Sequence, residues 1–250
     1  MTQLVRKNNR RFRRTGTYVS PLAHVVRAEH MGQTIFFTVP NPKDEIQQYH
    51  FRGEFYEREE LEIIARHMPV GGTYCDIGAN VGNHAIFVAK FLHASRLVLI
   101  EPNPPAIETL ESNLYLNGIE GICDRRHLGI GLSDGAHDSA LMRTPGRNLG
   151  AARIREVSED DAEGAIALAT GDSLLEAEAF DLIKIDVEGH EIKVLTGLAS
   201  TIRVTRPKLF IEVDGENDDA FQAWIKETNY EVLETFQRYP RNQNYMVGPK

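Results

Sequence analysis

Residues 73–92 limit what this chain can become more than any other stretch does. A short, mostly apolar run, residues 73–77, ends with Asp76 and Ile77 and opens a D-x-G-x-N-x-G loop of Asp76, Gly78, Asn80 and Gly82. Residues 83–92 follow with Ala85, Ile86, Val88, Ala89 and Leu92 at helical intervals. This reads as a buried strand, a glycine turn and a helix. Gly78 and Gly82 allow a tight turn and close approach of a ligand to the backbone. The helix start offers unpaired N–H groups and the positive end of a dipole, which suit a carboxylate or phosphate. Asp76, at the strand end, suits a positive partner such as an amino group. An amino acid moiety would satisfy both ends of such a loop.

The rest of the chain repeats the alternation. Strands are expected at 96–100, 122–128, 181–187 and 208–213, and helices at 57–67, 106–117, 191–198 and 220–228. Segments 231–236 and 245–247 form a closing antiparallel pair. Strand–helix alternation implies a doubly wound α/β fold with a largely parallel sheet, whose ligands bind beyond the carboxyl ends of the strands. At 250 residues the chain suits one such domain, spanning 51–250, behind an N-terminal extension over 1–50. That extension is irregular apart from one strand-like run at 34–39. Residues 135–165 carry Pro145, Gly146 and an acidic run, and are expected to form a hairpin and flap over the site.

Composition excludes several classes. No apolar run approaches the ~20 residues of a membrane span. Two cysteines, Cys75 and Cys123, make no disulfide framework, and the expected setting is cytoplasmic. The formal charge is -8, yet Arg6, Lys7, Arg10, Arg11, Arg13 and Arg14 crowd a basic arm at the start. Such an arm could touch nucleic acid, although a mobile terminus lying on the acidic body is the simpler reading. A nucleic-acid partner is therefore the alternative and not the expectation. A homodimer stays open.

Glu101 ends the second strand of the alternation, 19 residues beyond Gly82, where an acidic side chain accepts hydrogen bonds from two ribose hydroxyls. A nicotinamide dinucleotide would meet that requirement too. The loop, however, is not G-x-G-x-x-G, and a wider loop preceded by an acid suits a sulfonium amino acid better than a pyrophosphate. Asp186 and Glu188 alternate to one side of the strand at 181–187, with Gly189 as the turn and His190 at the helix start. A carboxylate or imidazole there could take a proton from a hydroxyl. Asp186, Glu188, Glu212 and Asp214 could instead gather a hard divalent cation. The metal-independent route is favoured, because the carboxylates are spread over two strands and no H-x-H or C-x-x-C spacing is present.

Taken together, Phe55, Tyr56 and Glu57, the Asp76–Gly82 loop, Glu101 with Pro102, Asn113 with Asn117, and the block from Lys184 to Glu191 resemble the FkbM family of methyltransferases. The resemblance covers roughly residues 53–215, and the Lys-Ile-Asp-Val-Glu-Gly run beginning at Lys184 is its most particular part. It implies a Rossmann-like class I methyltransferase fold, a seven-stranded mostly parallel sheet with helices on both faces. It also implies S-adenosyl-L-methionine as donor. By motif, Asp76, Gly78, Asn80 and Gly82 would hold the methionine part, Glu101 the ribose, and Ser133 and Asp134 would sit by the adenine. The family takes its name from an enzyme that O-methylates a polyketide hydroxyl, and its relatives act on sugars and other natural products. The expected activity is O-methylation of a small hydroxylated acceptor, a sugar or secondary metabolite. Asp186, His190 and Glu188 are the candidate bases, in that order.

Overall fold

The computed structural model describes residues 23–135, 137–143, 153–156, 165–176 and 178–250. The chain opens with a hairpin of β1 (His24–His30) and β2 (Gln33–Val39), followed by α1 (Glu45–Phe51) and α2 (Arg58–His67). The expected alternation then begins: β3 (Thr73–Ile77), α3 (Asn83–Phe91), β4 (Arg96–Ile100), α4 (Pro104–Asn117) and β5 (Cys123–Asp124). Four short strands follow, β6 (Ile130–Leu132), β7 (His137–Arg143), β8 (Arg153–Glu156) and β9 (Ala165–Ala169), then α5 (Gly171–Leu175) and β10 (Leu182–Ile185). The chain continues through α6 (Glu191–Gly197), α7 (Ala199–Thr205), β11 (Lys208–Asp214) and α8 (Asp218–Glu227). It closes with β12 (Tyr230–Phe236) and β13 (Asn242–Pro249).

The main sheet has seven strands in the order β12-β13-β11-β10-β3-β4-β5. From β11 to β5 all neighbours are parallel, while β13 runs antiparallel to β11 and β12. Alternate residues feed two cores. Tyr74, Leu97, Leu99 and Phe210 face one side, packed with Ile35, Phe37, Ile64 and Leu110. Cys75, Ile77, Ile183, Ile185 and Ile211 face the other, packed with Val194, Leu195, Ile202 and Phe221. A sheet covered on both faces needs strands mostly apolar on both faces, which is how 73–77 and 96–100 read.

The early residues depart from expectation. The stretch 24–50 is a hairpin and a helix, and it shares the core of the main sheet through Ile35, Phe37 and Val39. Asn113 and Asn117 on α4 explain why it stays there. Asn113 accepts from Thr38 N at 2.7 Å and donates to Val81 O at 2.7 Å. Asn117 accepts from Phe36 N at 3.0 Å and donates to Phe36 O at 2.7 Å. Two buried amides thereby satisfy the edge of β2, a pairing that no local periodicity reveals.

The strand expected at 122–128 is only two residues long, extended by a lone bridge between Glu101 and Leu128. The helix expected at 191–198 is continued by a second one past Leu198. Within the expected flap, β7 and β8 pair antiparallel, part of a second sheet of order β6-β9-β7-β8. The remainder of 135–165 lies largely outside the described residues, as does the basic arm over 6–14. Among the described residues, no helix is long and apolar enough to cross a membrane.

Candidate active site

After β3 the chain builds outward through β4 to β5, and β10 and β11 lie on the other side of β3. The strand order therefore reverses between β3 and β10, and at such a point the loops leaving the carboxyl ends diverge and leave a crevice. A cavity of about 280 Å³ opens there. Its wall includes Gly78, Ala79 and Asn80 after β3, Glu101 and Pro102 after β4, and Asp186, Val187 and Glu188 after β10. Glu212 of β11 and Lys184 of β10 complete that side.

Gly78 has φ +81°, and a side chain there would place Cβ 1.9 Å from the Asp186 carbonyl oxygen. Its glycine is thus demanded by contact between the two loops. Gly82, at φ +87°, packs against α4, where a side chain would place Cβ 2.6 Å from Leu110 Cδ1, and it is not among the lining residues. Gly78 does line the cavity, so its backbone is open to a ligand.

Glu101 has its two oxygens on two backbone donors: Oε2 accepts from Asn80 N and Oε1 from Asn103 N, both at 2.8 Å. It is nearly buried, and burial pushes its carboxyl up to about 7 against those two hydrogen bonds. Asn80, at φ +47°, lines the cavity, and its Oδ1 has no hydrogen-bond partner among the described residues.

Asp76 is fully buried and absent from the cavity wall. The positive partner expected for it comes from the chain itself, since Lys184 Nζ lies 3.5 Å from its Oδ1. The same ammonium donates to Gly78 O at 3.2 Å and to Asp186 Oδ2 at 3.3 Å. Burial opposes the charge on Lys184, but Asp186, Asp76 and Glu57 outweigh it and hold the ammonium above its ordinary range. Burial likewise raises Asp76, with Lys184 opposing. Lys184 therefore ties the loops after β3 and β10 into one unit.

Strand β10 ends at Ile185, so Asp186 and Glu188 sit on the turn and not on the strand. Glu188 adopts φ +50° and Gly189 φ +96°. The turn nonetheless brings oxygens of Asp186, Glu188 and Glu212 within 4.8 Å of one another. Burial, and then the charge of Asp186, push Glu212 up to about 8, while Asn242 Nδ2 donates to it at 2.5 Å. Asp214 does not join them. Arg241 holds it at 2.8 Å, and its Oδ1 accepts from Glu216 N.

His190 lies outside the cavity wall, with Nε2 3.3 Å from Ser133 Oγ. Ser133 is itself fully buried, its carbonyl against Gly197, and Asp134 is exposed; neither lines the cavity, although Leu132 does. The structure thus gathers Gly78, Asn80, Glu101, Asp186 and Glu188 at one site and leaves His190, Ser133 and Asp134 beside it.

Sequence reasoning assigned no role to the residues that complete the wall: Glu45, Tyr56, Glu57, His84, Tyr239 and Arg241. Three come from segments before β3. Burial and the charge of Asp186 raise the Glu57 carboxyl well above the usual range. Burial, then Lys184, keep the His84 imidazole well below its own. The one available signal was the Phe55, Tyr56, Glu57 triplet, whose distance from the glycine loop along the chain hid its place in the site.

The donor set suits an adenosyl amino acid: a carboxylate for ribose hydroxyls, an unpartnered amide oxygen on the glycine loop, and Ile77, Ile100 and Leu132 as apolar wall. Residues 76–245 match the model of the methyltransferase FkbM domain. The chain is 26% identical over 200 residues to the hexuronic acid methyltransferase AglP of Haloferax volcanii, covering 76% of this chain and 73% of that one. It is 27% identical over 220 residues to the AMB antimetabolite synthetase AmbE of Pseudomonas aeruginosa, covering 72% of this chain but 10% of that much longer one. The crystal structure of a methyltransferase FkbM from Methylobacillus flagellatus superposes with TM-score 0.50 at 17% identity, over 80% of this chain and 52% of that one, and so shares the fold.

Proposed function

Because the chain belongs to the FkbM methyltransferase family and is an S-adenosylmethionine-dependent methyltransferase, we propose that the atom it methylates is a hydroxyl oxygen on a sugar or related metabolite. The observation that carries this reading is the meeting of Glu101 and the Asp186, Glu188, Glu212 group in one cavity. An alcohol must lose its proton as its oxygen is methylated, and carboxylates beside the donor site supply acceptors for it. When bound, S-adenosylmethionine supplies an electrophilic methyl group on a positively charged sulfur.

The chain's own residues do the rest. Glu101, Asn80 and the backbone of Gly78 would hold the donor, while Asp76 acts from behind through Lys184. Asp186, kept in place by Lys184, and Glu188 would accept hydrogen bonds from acceptor hydroxyls and fix the reacting oxygen. Orientation of that kind contributes a large share of such a reaction's acceleration. Resemblance to a hexuronic acid methyltransferase supports a sugar acceptor. Two buried, unpaired cysteines suit a cytoplasmic setting.

The test is transfer of labelled methyl from the donor to a panel of methyl glycosides and amines. Label in a base-stable ether supports the reading, and label in amine or thiol products alone removes the oxygen assignment.

A further inference from the structure

Glu57 does not behave as its position asks. It occupies the N-cap of α2, a place that favours Ser, Thr, Asp or Asn bonding to the helix start, yet its side chain makes no capping bond. Its backbone is left-handed, φ +56° and ψ +49°, which costs a side-chain-bearing residue about 1–2 kcal/mol. Strain of this sort survives only where the surroundings over-determine it. Here Asn83 does so: its Oδ1 accepts from Tyr56 N at 3.0 Å and its Nδ2 donates to Tyr56 O at 2.9 Å. The clamped backbone turns the Glu57 carboxylate into the cavity, where Oε2 lies 3.7 Å from His84 Nε2. That nitrogen is buried and has no hydrogen-bond partner among the described residues.

Three of the other carboxylates on the cavity wall already serve donors of the chain. Glu101 serves two backbone N–H groups, Asp186 serves Lys184, and Glu212 serves Asn242. Glu60, in the first turn of α2, is held by Arg238 at 2.5 Å. The side chain beside the Glu57 carboxylate is an imidazole, while the charge of Lys184 also acts on it.

Resting on the reading of the protein as an O-methyltransferase, we propose that Glu57 is the catalytic residue that takes the proton of the acceptor hydroxyl, with His84 as its positioning residue. The acceptor oxygen forms its bond to the methyl carbon, the carbon–sulfur bond breaks, and its electron pair stays on sulfur. The hydroxyl proton passes to the Glu57 carboxylate. One positive and one negative charge vanish together, which favours the transfer in a site shielded from water, where separated charge is costly. His84, kept neutral, steers the carboxylate and can share the proton through Nε2.

The experiment compares the full chain with Glu57→Gln, Glu57→Gly and His84→Ala, using methyl β-D-glucopyranoside and methyl β-D-glucuronopyranoside as acceptors. Calorimetry with S-adenosylhomocysteine runs alongside. Glu57→Gln is expected to lower kcat by about 10²–10⁴-fold with product affinity within twofold. Glu57→Gly suits the left-handed backbone and leaves room for a small base, so added formate is expected to restore part of its rate. His84→Ala should shift the pH–rate profile and lower kcat less. The groups that set the profile around Glu57 are His84, Lys184, Asp186, Glu212 and Glu60. A Glu57→Gln rate within threefold of the parent overturns the proposal. So does a Glu57→Gly rate that formate leaves unchanged while product binding is intact. A parent chain that binds S-adenosylhomocysteine but methylates only amines overturns the oxygen reading itself, and this proposal with it.

Discussion

The raised Glu101 carboxyl makes donor-site affinity depend on pH in a direction that can be worked out in advance. Its proton affinity near pH 7 comes from burial, opposed by the N–H groups of Asn80 and Asn103. For stability, the sign follows from a folded value above the unfolded one. The contribution is fully present below about 4.5 and is lost as pH rises through about 7. For binding, the sign is opposite, because ribose hydroxyls donate to the ionised form. The protonated fraction goes from about one tenth at pH 8 to about nine tenths at pH 6 for a group near 7. S-adenosylhomocysteine should therefore bind up to about tenfold more weakly at pH 6 than at pH 8, about 1.4 kcal/mol. Glu101→Gln removes the titration and turns one oxygen into a donor facing a backbone N–H. At pH 8 it should weaken binding by about 1.5–3 kcal/mol, the range for a hydrogen bond to a charged group, and flatten the dependence. The assay is calorimetric titration of both proteins at pH 6, 7 and 8. An equal pH slope in parent and variant would refute the assignment of Glu101 to the ribose.

Gly78→Ala would drive Cβ into the Asp186 carbonyl at a left-handed φ. Urea titration should show a loss of about 2–4 kcal/mol, and an unchanged midpoint would mean that the two loops do not touch. Lys184→Met strands Asp76 uncompensated in the core, at a cost of about 3–5 kcal/mol; adding Asp76→Asn should recover part of it in the same assay. Asp186→Asn should raise the acceptor KM by about 10–100-fold, the loss of a hydrogen bond to a charged group, with donor affinity nearly intact. Exhaustive chelation should leave turnover unchanged. Loss of activity that Mg²⁺ restores would instead put a cation on Asp186, Glu188 and Glu212.

The framework of the fold was legible along the chain because its signals are local. Residues 73–77 and 96–100 are mostly apolar on both faces, Thr73, Asp76 and Arg96 apart, as strands covered on both sides should be, and the helices that follow them repeat near 3.6 residues. Those periods are properties of a few consecutive residues, so the alternation, the sheet class and the glycine loop could be read directly. Glu101 could be singled out for the same reason, as the acidic residue that closes such a strand, and the structure puts it on the cavity wall. Asn113 and Asn117 stood out in the family pattern, but their work on β2 did not, because it pairs residues 75 and 81 positions apart.

Which side chains meet was decided by packing over such distances. Asp76 looked ready for a ligand's amino group, and Lys184, 108 positions later, occupies that role because β3 and β10 are neighbours in the sheet. Asp186 and Glu188 were expected to converge by strand alternation, yet they do so through a turn, with Glu212 supplied by the adjacent strand and Asp214 drawn off by Arg241. His190 was placed at the site by its neighbours along the chain, but the start of α6 directs it to Ser133. Glu57 enters the cavity only because Asn83 clamps the segment before α2 against α3. The chain alone determined the sheet, the glycine loop and Glu101, each written in consecutive residues. Tertiary structure decided the charge partners and the far wall of the site, because a carboxylate's environment depends on residues that the sheet order, and not the sequence order, brings beside it.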